Sequence, residues 1–114
     1  MTIVPTLNYI EFAVKDMGQA KTFLASAFGW QFTDYGPEYC EFTDGVQKGG
    51  LFVSPDVRPG GPMIVLRHED LAAVQSQVEA AGGTITKETY SFPGGERFEF
   101  LDPMGYAWGV WRET

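Results

Sequence analysis

The chain repeats one order of apolar and polar positions. An apolar segment followed by Asp16 and an amphipathic stretch that ends at Gly29 returns 54 residues later, where the aspartate is Asp70 and the glycine is Gly83. The aspartate and the glycine are 13 residues apart in both copies. A unit of this length cannot bury its own apolar face, so the repeat predicts two modules that share one core. We expect the functional site between them.

Each amphipathic stretch predicts a helix with one apolar face. Apolar residues recur at spacings of three and four from Ala20 to Phe28 and again from Leu71 to Ala81. The side chain of Asp16 can accept hydrogen bonds from the first turn of the first helix, which makes this residue the predicted N-cap. We assign four aromatic residues to the core: Phe12, Phe23, Phe28 and Trp108.

Strand-like segments surround each helix and give the order βαβββ twice. The predicted strands are 8–14, 31–35, 39–43 and 50–54 in the first copy, and 62–67, 84–88, 97–101 and 106–111 in the second. We therefore expect an α+β fold in a single domain, 1–114, with module one at 5–54, a breaker-rich linker at 55–62 and module two at 63–114. The segment Tyr90–Glu96 is predicted to be a loop, either a lid or partner contact anchored by Phe92 or a solvated hairpin connection.

Composition narrows the classes of function. The net charge of −7 disfavours binding to a phosphate backbone, so we expect no nucleic-acid partner. No apolar run approaches the roughly 20 residues of a membrane span, and we expect no membrane association. The lack of a basic, apolar start and the single cysteine, Cys40, favour the cytoplasm.

The order and spacing of several motifs resemble the vicinal oxygen chelate superfamily, which includes glyoxalase I, bleomycin-resistance proteins and extradiol dioxygenases. The motifs include Phe28-Gly29-Trp30, the stretch 80–83 and Asp102-Pro103-Met104-Gly105-Tyr106. The resemblance implies two βαβββ modules in a curved mixed sheet around a cleft, with the helices on the outer face, usually completed in a homodimer. It does not choose a function, because the superfamily supports many chemistries.

The resemblance also implies positions for a divalent metal. Its ligands would fall on Tyr9, Met63, Gly109 and either Gly49 or Gly50. Glycine, methionine and neutral tyrosine cannot replace a set of imidazole and carboxylate ligands. We therefore expect no metal ligands and no cofactor.

Parity along the first strand places Glu11 on the face that the resemblance assigns to the cleft. Glu11 is the weak candidate for a catalytic residue, as a general base, and the structural alternative is an ion pair with Arg67. His68 is favoured as a cap rather than a ligand, and Cys40 as a small apolar side chain rather than a nucleophile. The predicted ligand-binding residues are Tyr9, Glu11, Tyr39, Met63, Val65, Arg67, Gly109 and Trp111.

Two functions follow from these positions. The favoured one is a metal-free protein of the bleomycin-resistance type that binds a small apolar or aromatic molecule in an aromatic-lined cleft, as a homodimer. The alternative is a glyoxalase-like, metal-dependent lyase or isomerase related to lactoylglutathione lyase, with displaced ligands such as Glu11, His68 and Glu99. A structural dimerisation module, whose own side chains would fill the cleft, is a third hypothesis. The sequence leaves open whether the protein is an enzyme, with a leaning against it.

Overall fold

The computed structural model describes residues 2–56, 61–103 and 105–114. They group into two compact units. The module-one unit is Tyr9–Pro62, and the module-two unit joins Met63–Thr114 to the residues up to Asn8. The assignment of both modules to a single domain stays a prediction.

Two sequence predictions fall partly outside the described residues. They are the linker at 55–62, of which residues 57–60 are not described, and the motif at 102–106 on which the family resemblance partly rests, of which Met104 is not described.

The module-one unit has the predicted order βαβββ. Its elements are β1 (Thr6–Val14, which enters this unit at Tyr9), α1 (Met17–Phe28), β2 (Gln31–Asp34), β3 (Tyr39–Thr43) and β4 (Lys48–Val53). The strands lie in the order β2-β3-β4-β1, with β1 and β4 parallel and the other pairs antiparallel.

The module-two unit repeats this arrangement. Its elements are β5 (Met63–Arg67), α2 (Leu71–Ala80), β6 (Thr84–Phe92), β7 (Gly95–Leu101) and β8 (Ala107–Glu113). The strands lie in the order β5-β8-β7-β6, and again the first and last strands of the module are parallel. The α+β class and the two βαβββ modules are confirmed. Neither described helix is long and apolar enough to cross a membrane.

The helix ends follow the predicted capping chemistry. The Asp16 side chain accepts a hydrogen bond from the backbone N–H of Gln19 at 2.9 Å, and Asp70 accepts from Ala73 at 3.0 Å. Gly29 closes α1 in the left-handed conformation, with φ 72°. These contacts satisfy backbone groups that a helix terminus leaves without partners.

Each unit has its own apolar core beneath its helix. Cys40, Phe42 and Leu51 are buried in the module-one unit, where α1 covers them. The module-two core is larger, and Val74, Phe98 and Val110 are its fully buried members. Strand parity puts these residues on the helix side of each sheet, so the opposite side remains for a site.

The N-terminal segment packs on the module-two unit. The backbone N–H of Ile3 donates to the Gln77 side chain at 2.9 Å, and the Gln77 amide donates back to the Ile3 carbonyl at 3.2 Å. The Ile3 side chain also packs against the module-two core. This reciprocal pair attaches the chain start to α2, which no sequence pattern indicated.

The predicted loop at 90–96 was wrong in its extent, whereas the alternative of a solvated hairpin connection is confirmed at residues 93–94. Strand β6 continues to Phe92 and β7 begins at Gly95, so Pro93 and Gly94 form a tight hairpin turn. Gly94 has φ 100°, a conformation that glycine adopts without steric cost. Strand β6 therefore runs further than predicted. The ring centroids of Phe92 and Trp111 are 6.4 Å apart.

Three of the four aromatic core assignments were wrong. Phe12 is 37% exposed, Phe23 60% and Phe28 61%, whereas Trp108 packs against the module-two core as predicted. The α1 residues that pack on the sheet, among them Met17, are only partly buried, and Phe23 and Phe28 lie on the flank of the helix. There they contact each other edge to face, with ring centroids 5.9 Å apart.

This difference in burial predicts a large difference in stability. Truncation of Phe98 to alanine should lower the free energy of unfolding by about 3–5 kcal/mol, because it leaves a cavity in a buried core. Truncation of Phe23 to alanine should cost below ~1 kcal/mol. Urea unfolding of the two variants measures both values, and equal losses would contradict the assigned burial.

Candidate functional site

Three predicted ligand-binding residues lie on one face of the module-one sheet. The strand register pairs Glu11 of β1 with Gly50 of β4, and Gly50 with Glu41 of β3. Cross-strand partners point to the same side of a sheet, and so do residues two positions along a strand. Tyr9 and Tyr39 therefore share this face with Glu11.

A hydrogen-bond chain joins these three side chains. The Tyr9 and Tyr39 hydroxyl oxygens are 2.9 Å apart, and the Tyr39 hydroxyl donates to Oε2 of Glu11 at 3.0 Å. Glu11 is 8% exposed and both tyrosines are half-buried. A buried carboxylate is thus linked through two phenols to the surface of the sheet.

Gly50 is the residue that makes room for this chain. A Cβ at Gly50 would collide with the Tyr39 hydroxyl and would lie 3.0 Å from the Tyr9 hydroxyl. Gly49, the other sequence candidate for this position, instead packs beneath the Phe42 ring. Gly50 is therefore the glycine on the Tyr9 and Tyr39 face.

Both phenols hold their protons strongly. Burial is the main cause that raises the pKa of Tyr9 to about 12; the hydrogen bond with Tyr39 opposes it, and the negative charges of Glu41 and Glu11 add to it. The pKa of Tyr39 is also raised, by burial first and then by the charge of Glu11. Near neutral pH both residues are hydrogen-bonding phenols rather than phenolates.

The module-two sheet presents a second cluster around Gly109. The register pairs Gly109 of β8 with Val65 of β5 and with Glu99 of β7. Arg97 and Met63 lie two positions along β7 and β5, so they share this face. Three of these residues, Met63, Val65 and Gly109, are predicted ligand-binding residues that the structure brings together.

The Arg97 guanidinium covers Gly109. Its Nη2 atom lies 3.3 Å from the position of a Cβ at Gly109, 3.1 Å from Sδ of Met63 and 3.2 Å from Oε2 of Glu99. The Tyr90 hydroxyl donates to the same Glu99 oxygen at 2.7 Å. The Arg97 and Glu99 side chains are 12% and 14% exposed, which makes this a largely desolvated ion pair.

The other two predicted residues, Arg67 and Trp111, form a contact of their own. The Arg67 guanidinium carbon lies 5.1 Å from the Trp111 ring centroid, within cation–π range. Arg67 also pairs with Glu69 at 3.0 Å and Glu113 at 3.4 Å. The Trp111 indole N–H donates to Asn8 at 3.0 Å. That these residues bind a ligand stays a prediction.

The candidate histidine, His68, and the candidate cysteine, Cys40, both lie where their side chains support the fold. Nδ1 of His68 accepts from the backbone N–H of Asp70 at 2.9 Å, where α2 begins. Cys40 is 1% exposed in the module-one core, and burial raises the pKa of its thiol. Neither geometry resembles an activated nucleophile or a metal ligand.

The residues at the implied metal positions do not fit a divalent ion. Gly50 is covered by a neutral phenol, and Gly109 by a guanidinium whose positive charge would repel a cation. Within residues 2–56, 61–103 and 105–114, no three His, Cys, Asp or Glu side chains are grouped so that they could hold a metal. Glu99, a ligand in the alternative hypothesis, is already paired with Arg97.

Sequence reasoning missed Arg97 as a site residue, although a signal for it exists. Tyr39-Cys40-Glu41-Phe42 and Arg97-Phe98-Glu99-Phe100 share the pattern of a long polar residue, a core residue, glutamate and phenylalanine. Tyr39 and Arg97 thus occupy equivalent positions in the two modules. An overlay of the third strands, rather than of the first strands and helices alone, would have revealed this equivalence.

The comparisons with known proteins establish the family. The family model described as the Glyoxalase/Bleomycin resistance protein/Dioxygenase superfamily matches residues 6–110. The chain therefore belongs to this superfamily, the one that its motifs resemble. A search of curated proteins found no match.

Solved structures share the fold at low sequence identity. One is the Mn(II)-bound glyoxalase from Novosphingobium aromaticivorans, at 24% identity and a TM-score of 0.73 over 96% of this chain and 40% of that chain. Another is methylmalonyl-CoA epimerase from Mycobacterium tuberculosis, at 14% identity and a TM-score of 0.75 over 100% of this chain and 93% of that chain. A third is an extradiol ring-cleaving dioxygenase from B. fuscum, at 16% identity and a TM-score of 0.73 over 96% of this chain and 34% of that chain. These similarities show the fold alone.

The crowding at Gly50 predicts a specific sensitivity. Replacing Gly50 by alanine should lower the free energy of unfolding by about 1–3 kcal/mol, because the new methyl group displaces the Tyr39 phenol. Gly18→Ala in α1 is the matched control: its Cβ would meet only an ordinary 3.5 Å contact, so no loss is expected. Chemical denaturation compares the two, and a tolerated Gly50→Ala would contradict the packing.

The raised pKa of Tyr9 predicts a loss of stability in alkali. Its folded value of about 12 lies above the ordinary 10.0, so its contribution is complete below pH 10 and disappears as the pH rises towards 12. Tyr9→Phe should remove this component. Unfolding measured across that pH range should show a steeper decline for the natural protein than for Tyr9→Phe, and parallel curves would contradict the shift.

Proposed function

We propose that this protein binds a small apolar or aromatic molecule and does so without the divalent metal that the family resemblance implies. The observation that carries the proposal is the covering of two glycines, Gly50 by the Tyr39 phenol and Gly109 by the Arg97 guanidinium. These side chains make hydrogen bonds and ion pairs of their own, which supports a site that works without an ion.

The proposed contact residues combine apolar area with a few polar groups. Such a composition is typical of small-molecule sites, where polar groups orient the guest and rings provide contact area. In the module-one unit the contacts are Tyr9, Glu11 and Tyr39. In the module-two unit they are Met63, Val65, Arg67, Gly109 and Trp111.

The proposal extends to assembly and location. Superfamily members often act as dimers that bind small molecules, and we propose a homodimer for this chain. We also propose that it acts in the cytoplasm, since a single free cysteine suits a reducing compartment. A bleomycin-resistance type of sequestration fits these features.

Metal content tests the first half of the proposal. Protein produced in medium supplemented with manganese, iron, nickel and zinc should contain far less than one ion per chain. Its thermal midpoint should not rise on addition of any of these ions, because none binds the native state. One tightly held ion per chain, with stabilisation on titration, would instead support the metal-dependent lyase or isomerase.

Binding of a flat aromatic probe tests the second half. We expect 2-naphthol to bind in calorimetric titration and Trp111→Ala to weaken the binding about tenfold, since one aromatic contact contributes roughly 1.4 kcal/mol. Tyr106→Ala removes an aromatic residue that is 58% exposed and outside the proposed site, so it should leave binding unchanged. No binding, or equal losses in the two variants, would contradict the proposal.

A further inference from the structure

The geometry points to a direction in the Tyr9–Tyr39–Glu11 chain that selects the chemistry of the guest: the Tyr9 oxygen accepts a hydrogen bond, so the favoured ligand carries an O–H or N–H donor. This inference rests on the proposed function and deepens it. It names a specificity-determining atom and a class of ligand, aromatic alcohols and aromatic N–H compounds.

The direction follows from counting protons. A phenol has one hydrogen to donate, and the Tyr39 hydrogen is given to Oε2 of Glu11. The 2.9 Å contact between the two hydroxyl oxygens must then use the hydrogen of Tyr9. Each phenol donates towards Glu11, and the Tyr9 oxygen is left with acceptor capacity and no hydrogen to offer a guest.

The carboxylate at the end of the hydrogen-bond chain sets its direction, because a carboxylate can only accept, and packing holds the Tyr39 phenol beside it. The Tyr39 phenol lies over Gly50, and Glu11 is 8% exposed. Glu11 is also the cross-strand partner of Gly50, so the carboxylate and the glycine that admits the phenol are fixed by the same pairing of β1 and β4. The acceptor at the end of the chain is set by the backbone.

Tyr9 is the end of the hydrogen-bond chain at which a guest can bind. Both tyrosines are half-buried and Glu11 is buried, but the Tyr39 hydroxyl already contacts Glu11 on one side and Tyr9 on the other. A guest with a hydroxyl or N–H group can complete the chain at the Tyr9 oxygen. An ether or ketone of the same shape would place one lone pair against another and lose that hydrogen bond, which creates selectivity.

A matched pair of probes tests the inference. In calorimetric titration of the full chain, 2-naphthol should bind about three- to tenfold more tightly than 2-methoxynaphthalene, as one neutral hydrogen bond provides. Tyr9→Phe removes the acceptor and should abolish most of this ratio while leaving the affinity for the ether unchanged. Tyr106→Phe is the control and should keep the ratio.

A second variant tests the direction of the chain itself. Tyr39→Phe removes the acceptor for the Tyr9 hydrogen, which is then free to bind the ether oxygen. The affinity for 2-methoxynaphthalene should therefore rise and the ratio should shrink. Circular dichroism confirms that each variant is folded.

The outcomes separate the two claims. If 2-naphthol and 2-methoxynaphthalene bind equally well and Tyr9→Phe changes nothing, the inference is overturned while the proposed function stands. A preference for the ether would overturn it as well. If neither compound binds, the proposed function fails and takes the inference with it.

Discussion

The absence of a side chain at Gly50 is the constraint on which the candidate site depends. Only a glycine there lets the Tyr39 phenol lie over β4 and contact both Tyr9 and Glu11 on β1. A buried carboxylate without partners would cost several kcal/mol, and the phenol provides Glu11 with a charge-assisted hydrogen bond. The choice of glycine at one position of β4 thus determines whether the buried carboxylate has this hydrogen bond.

The two units use the same construction with different chemistry. In each unit, a side chain of the third strand covers a glycine of the last strand. The same side chain also contacts a residue of the first strand. The module-one version joins phenol to phenol, and the module-two version joins the Arg97 guanidinium to the Met63 thioether. The two covering groups therefore differ in charge, since the phenol is neutral and the guanidinium is cationic.

Periodicity was sufficient to predict the fold, because capping residues and apolar spacing act locally. Asp16 and Gly29 mark the ends of α1 as expected. Periodicity failed to identify the packed face of α1: the helix packs on the sheet along Met17, and Phe23 and Phe28 remain exposed. Parity placed Tyr9 and Glu11 on one face. It could not reveal that Tyr39 bridges them or that Arg97 covers Gly109, since both depend on diagonal contacts across strands rather than on spacing within one.

The positions of the hydrogens in the Tyr9–Tyr39–Glu11 hydrogen-bond chain test the account most directly. Neutron diffraction from deuterium-exchanged crystals near neutral pH would locate them on the two phenols and on the carboxyl group. The account predicts a deuteron on Tyr39 that points to Oε2 of Glu11 and one on Tyr9 that points to the Tyr39 oxygen. A deuteron on Glu11 directed at Tyr39, or a Tyr39 deuteron directed at Tyr9, would contradict it.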